Sequence, residues 1–164
     1  MIKMENVKKS YQVGTVQYPA LKDITLNVDD GELLGILGKS GSGKTTLLNI
    51  ISALDSMDSG KYLFRDEDVS EYSEGRRAQF RNEHVGIVLQ DYSLINHKTV
   101  LFNAMLPMYF GRTPYREMKD KAMEALAMAH VEELAEKKAN ELSGGQRQRV
   151  AIARALVNDT DLIS

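Results

Sequence analysis

An apolar run, Leu33 to Leu37, leads straight into Gly38-Lys39-Ser40-Gly41-Ser42-Gly43-Lys44-Thr45, and no other short segment of the chain leaves so few folds open. The spacing is G-x-x-x-x-G-K-[ST], the pattern of a loop that wraps phosphate. Glycines let the backbone curl so that successive N–H groups point inward at anionic oxygens. The helix that follows adds the positive end of its dipole to the same spot. Lys44 would reach the β- and γ-phosphates, and the Thr45 hydroxyl would ligate Mg²⁺. A merely flexible glycine turn does not account for Lys-Thr at that offset between a strand and a helix. Leu33–Leu37 is therefore expected as a buried strand of a parallel sheet. Lys44–Ala53 is expected as the helix, ended by Asp55-Ser56-Met57-Asp58-Ser59-Gly60.

The remaining pattern fits the same class. Ile24, Leu26 and Val28 alternate with polar residues, as in a half-buried strand. Tyr62–Phe64 and Val85–Leu89 are further strand candidates, separated by a basic helical stretch from Glu74 to Arg81. Tyr115, Met118, Ala122, Ala125, Leu126 and Ala129 recur at helical spacing and predict one buried face. The methionines in that stripe read as core filling rather than as a cofactor box. Pro107 and Pro114 bracket a loop before this helix, and another helix is expected from Gly144 to Val157. Strand, phosphate loop, helix, more strands and an inserted helical region together predict an α/β fold with a parallel sheet.

Composition narrows the function classes. The 164 residues are 43% hydrophobic and 27% charged, with formal net charge −2, so no whole-chain basic field points to a nucleic acid partner. Arg76, Arg77 and Arg81 stand beside Glu74 and Glu83 and read as a solvated helix face. There is no cysteine, which excludes disulfides and thiolate metal sites. The three histidines, His84, His97 and His130, share no metal-ligand spacing. No apolar stretch approaches the length of a membrane span, and Met1–Asn6 lacks the apolar run of a secretion signal.

The phosphate loop alone leaves the kind of nucleotide enzyme open. Leu142-Ser143-Gly144-Gly145-Gln146 closes that gap, since it matches letter for letter the signature of ABC ATPases. It is followed by Gln148-Arg149-Val150-Ala151-Ile152-Ala153-Arg154-Ala155-Leu156, and from Met1 to about Val157 the order of motifs resembles that family. Ser143-x-x-Gln146 also has the form of a helix capping box. The two readings agree, because a capped helix start with free N–H groups is what an anion site requires.

The resemblance implies one nucleotide-binding domain over residues 1–164. It would have a P-loop core with a mainly parallel sheet, an N-terminal antiparallel β part, and a Q-loop and helical subdomain over about 91–141. It implies ATP and Mg²⁺ as cofactors, held by Gly38, Lys39, Ser40, Gly41, Ser42, Gly43, Lys44, Thr45 and Thr46. Tyr11 matches the aromatic that stacks on adenine. Gln90 matches the Q-loop glutamine that contacts Mg²⁺ or the attacking water. Ser143, Gly144, Gly145 and Gln146 would meet the γ-phosphate bound to a partner subunit across a head-to-tail homodimer.

The expected role is the ATP-binding subunit of a transporter, at the cytoplasmic face of the membrane, driving separate transmembrane permease subunits. Lys9–Gly14, Ala20–Ile24 and Leu47–Ile50 are similar to an exporter subgroup that handles lipoproteins, macrolides and antimicrobial peptides.

In this family a Walker B strand follows the Ala153-Arg154-Ala155-Leu156 helix and ends in Asp-Glu. Here Asp161-Leu162-Ile163-Ser164 would open that strand, and Asp161 precedes it rather than ending it. The Walker B carboxylates, D-loop and switch histidine are not among these residues. The expectation is a fold whose C-terminal part is missing and a chain that by itself turns over little ATP. A hydrolysis-deficient nucleotide-binding remnant is the alternative. An ABC ATPase of DNA repair is disfavoured by the lack of a sustained heptad tract.

Overall fold

The computed structural model describes residues 1–164 and divides into two compact units, Met1–Ala78 and Gln79–Ser164. In the first unit, β1 (Ile2–Val13) and β2 (Val16–Val28) form a long antiparallel hairpin. β3 (Ser59–Phe64) pairs antiparallel with β1, and the short β4 (Glu67–Asp68) with β3, giving the order β2-β1-β3-β4. One face of β1 supplies the core. Ile2, Met4 and Val7 are buried with Tyr62 and Phe64, while Lys3 and Glu5 face water. Helix α1 (Lys44–Ile51) is tied to the sheet by the Tyr62 hydroxyl, which donates to Ile51 O at 2.8 Å.

The half-buried pattern expected at Ile24, Leu26 and Val28 is present in β2, and Tyr62–Phe64 lies in β3. Two expectations need correction. α1 stops at Ile51 rather than Ala53, because Ala53 turns into the left-handed region (φ 52°) and its N–H folds back to Ile50 O. More consequentially, Leu33–Leu37 is not a buried strand. It takes a place in neither sheet, and Leu33 and Leu37 are 98% and 95% exposed. A strand exists only through a ladder with neighbours, and no neighbour for this run lies among these residues.

α2 (Glu74–His84) runs across the division between the units. The second unit continues with β5 (Val85–Gly86), α3 (Val100–Met105), α4 (Tyr115–Met128), α5 (Gly144–Leu156) and β6 (Leu162–Ile163). Short 3-10 turns at Leu106–Phe110, Glu132–Leu134 and Ala139–Glu141 link the helices. Its core is where α3, α4 and α5 meet, around Val100, Ala104, Met108, Ala122, Leu126 and Val150. The alanines let the helix backbones approach, and Met108 and Met118 fill the remaining space.

The predicted stripe of α4 is buried from Met118 to Ala129, but Tyr115 is 75% exposed. It is the first residue of the helix, just after Pro114, and lies beyond the reach of the core. β5 and β6 run parallel, joined by the helices between them as a parallel crossover requires. β5 passes so close to the end of α5 that a Cβ on Gly86 would lie 2.3 Å from Ala155 O. β5 is shorter than the predicted Val85–Leu89, although Val88 N still donates to Ser164 O at 2.7 Å. β6 opens where the sequence placed a strand after the Asn158-Asp159-Thr160 turn.

Candidate functional site

The phosphate-loop motif folds as an open turn between the unpaired Leu33–Leu37 run and α1. Ser40, Gly41 and Ser42 are exposed, and Ser42 N donates to Lys39 O at 3.2 Å. Lys44 curls back over the loop, its Nζ donating to Gly38 O and Lys39 O, both at 2.8 Å. A charged amine bound only to neutral carbonyls is well placed to exchange them for an anion, whose full negative charge adds a Coulomb attraction that a carbonyl dipole does not match. Thr45 is exposed on the first turn of α1, and Thr46 is partly buried behind it.

Gly43 closes the loop as the N-cap of α1, with φ 90°. A Cβ there would lie 2.5 Å from Ala20 O and 3.0 Å from Leu21 Cδ2. Ala20 is the extra residue of a bulge in β2, where the pairing moves from Lys9–Leu21 to Ser10–Pro19. The bulge thus sets the seat of the loop. A Cβ on Gly38 would lie 2.5 Å from Ser42 Oγ, a contact that rotation of the exposed serine side chain would relieve. The cradle fits a phosphate chain: backbone donors, one mobile cation, a helix N-terminus behind them, and a glycine at the tight point.

Tyr11 lies in β1 of the same unit, directly across from Tyr18 on β2. Its ring is partly exposed, with Lys9 Nζ 5.3 Å from the centroid, and its hydroxyl donates to Asp55 Oδ2 at 2.8 Å. Lys9 is itself buried and reaches Asp55 Oδ1 at 2.9 Å and Ser56 O at 2.6 Å. This cluster fastens β1 to the turn after α1. Burial works to raise the Asp55 carboxyl. Hydrogen bonds from Lys9, Tyr11 and Ser56, with the Lys9 charge, outweigh it and hold the group below its ordinary value.

The signature residues belong to the second unit. Ser143 caps α5 as the pattern predicts: Gln146 N donates to Ser143 Oγ at 3.4 Å, and Ser143 N to Gln146 Oε1 at 2.9 Å. Gly144 and Gly145 follow on an exposed turn, where an added Cβ would meet nothing within 4 Å and the backbone is ordinary helix. Nothing inside the chain therefore demands glycine at either position.

Gln90 is exposed at the corner of a turn closed by Tyr92 N donating to Leu89 O at 2.9 Å. Sequence reasoning missed what holds this turn. Arg154 of α5 donates to Tyr92 O at 2.8 Å and Ser93 O at 2.7 Å, and Arg147 to Asn96 Oδ1 at 2.6 Å. Both arginines fall on or beside the signature run, but spacing alone does not reveal a partner fifty or more residues upstream.

The model of the ABC transporter family matches residues 21–164. The chain belongs to that family. It is 44% identical over 163 residues to the ABC transporter ATP-binding protein YvrO of Bacillus subtilis, covering 99% of this chain and 71% of that one. An ABC transporter ATP-binding protein of Thermotoga maritima is 43% identical over 159 residues, covering 97% of this chain and 68% of the relative. Among solved structures, an ATP-binding cassette in a dimeric post-hydrolysis state bound to ADP and phosphate superposes with TM-score 0.90 at 41% identity. That match covers 99% of this chain and 72% of the cassette. The fold is the ABC cassette fold, and the chain spans that share of it. These matches favour the transporter ATPase over the remnant alternative. No helix is long and apolar enough to cross a membrane.

Proposed function

We propose that this chain is the ATP-binding subunit of an ABC transporter, coupling ATP binding and hydrolysis to substrate movement through separate membrane subunits, in the export direction. The observation that carries the reading is the phosphate loop, where Lys44 is poised on two carbonyls beside an open, glycine-lined turn seated on the β2 bulge. Mg-ATP supplies the transferable phosphoryl group. The Gly38–Thr46 backbone and Lys44 position and neutralise the phosphates, Thr45 offers a hydroxyl to Mg²⁺, and Tyr11 offers its ring to the base. Gln90 is assigned to Mg²⁺ or the attacking water on resemblance alone.

The open glycines support a head-to-tail homodimer. Gly144 and Gly145 are free of intrachain constraint, which suits close approach by a group from outside the chain. In the proposed dimer that group is the γ-phosphate held by the partner's loop, giving two sites per symmetric pair. Residues 91–141 act as the helical subdomain of a single nucleotide-binding domain. In this reading the loop after Gln90 faces the permease and the subunit works at the cytoplasmic membrane surface, both on resemblance to the family.

The test is a thermal melt with and without Mg-ATP. A ligand that binds only the native state at 100 times its Kd adds about 2.7 kcal/mol of stability, so the midpoint should rise. AMP, which lacks the phosphates the loop holds, should raise it far less. Equal shifts with AMP and ATP would place the nucleotide somewhere other than Gly38–Thr46.

A further inference from the structure

The turn that carries Gln90 is strained, and its backbone carbonyls are held by a side chain from the signature helix. Tyr92 and Ser93 are consecutive non-glycine residues in the left-handed region, at φ 64° and 42°. Each such residue crowds its own Cβ against the backbone, and two in succession persist only where the surroundings over-determine them. Here the Tyr92 side chain packs against the α3–α4–α5 core, and Arg154 holds the backbone. Its partly buried guanidinium donates to both carbonyls of the strained pair, Nη1 to Ser93 and Nη2 to Tyr92. The planar fork suits two adjacent acceptors in a way that a lysine ammonium does not.

Tyr92 also closes the Gln90 corner, its N donating to Leu89 O at 2.9 Å. Asp91, next to Gln90, accepts from Ser93 Oγ at 2.7 Å; burial holds the Arg154 guanidinium below its ordinary pKa, and the Asp91 charge works against that. Further along, Arg147 reaches Asn96, and Asn103 Oδ1 accepts from Ile95 N at 2.7 Å. The chain after Gln90 is thus fastened to α3 and α5, while Gln90 itself projects from the near end of the fastened segment.

We propose that Arg154 is a positioning residue for Gln90: by clamping the left-handed Tyr92–Ser93 pair to α5 it fixes the direction in which Gln90 leaves the turn, and makes the signature helix and the Gln90 turn move together. Its functional readout rests on the role proposed for Gln90 above. The clamp itself does not.

Two measurements on the 164-residue chain test it, using Arg154→Lys, Gln90→Ala and the double variant. Arg154→Lys keeps the charge and most of the volume but cannot fork onto both carbonyls. Amide exchange without nucleotide should rise about tenfold or more at Asp91–Leu94, with the α4 amides unchanged, because only local opening becomes easier. Mg-ATP affinity should fall by the same factor in Arg154→Lys as in Gln90→Ala, with no further loss in the double variant, and ATP without Mg²⁺ should bind all three alike. Exchange rising equally across α3, α4 and α5, or losses that multiply in the double variant, would overturn the proposal and leave Arg154 as packing. If Gln90→Ala alone binds Mg-ATP like the wild type, the Gln90 assignment fails. The exchange pattern then decides by itself between a local clamp and general packing.

Discussion

Gly43 shows how much of the site depends on single atoms. Its φ of 90° and the 2.5 Å between a Cβ and Ala20 O make any side chain doubly unfavourable there. Gly43→Ala is expected to cost about 1–3 kcal/mol in a denaturant melt and to weaken ATP binding as the loop lifts from the β2 bulge. At Tyr11 the ring and the hydroxyl have separate tasks. Tyr11→Ala should weaken Mg-ATP binding, because base stacking needs the ring. Tyr11→Phe should bind nucleotide normally yet lose about 0.5–1.5 kcal/mol of stability, since its hydroxyl no longer reaches Asp55. If Tyr11→Ala binds as tightly as Tyr11→Phe, the ring serves packing and not the base.

Asp55 adds a pH dependence with a definite sign. Its folded carboxyl is held below the ordinary value, so the unfolded state binds the proton more readily. The stabilisation is complete above the unfolded pKa of about 3.9 and fades as acid reaches the lower folded value. Asp55→Asn should thus lower stability at neutral pH and narrow its difference from the wild type in acid.

At the level of elements, local chemistry was easy to read and long-range pairing was not. The α5 start was legible because a capping box is a contact between residues three apart, and α4 was legible because its stripe repeats every turn. Ser143→Ala should cost about 1 kcal/mol in stability through the lost cap. Leu126→Ala, at the centre of the α3–α4–α5 core, should cost about 2–5 kcal/mol. A smaller loss at Leu126 than at Ser143 would contradict the packing described. The apolar run Leu33–Leu37 was legible as strand material, but a strand is completed by its neighbours, and the sequence of the run does not say which neighbours are present. The Arg154 clamp was illegible for a related reason, since its acceptors are backbone carbonyls that any residue carries.

For the whole molecule, the uncovered Leu33 and Leu37 leave apolar surface beside the phosphate loop. The 164-residue polypeptide is expected to bind a hydrophobic dye in its native state, and Leu33→Ser with Leu37→Ser should reduce that binding without lowering the melting midpoint. The order of motifs, phosphate loop then signature, was legible in full because each is a contiguous stretch whose chemistry demands particular residues.

Whether these motifs hold a nucleotide is decided by titrating Mg-ATP and magnesium tripolyphosphate calorimetrically into the wild type and Lys44→Ala. Removing one charge-assisted phosphate contact should cost about 1.5–3 kcal/mol, roughly ten- to a hundredfold in affinity, and should do so for both ligands. Equal affinity of the two proteins for Mg-ATP would mean that Gly38–Thr45 is not where the phosphates bind.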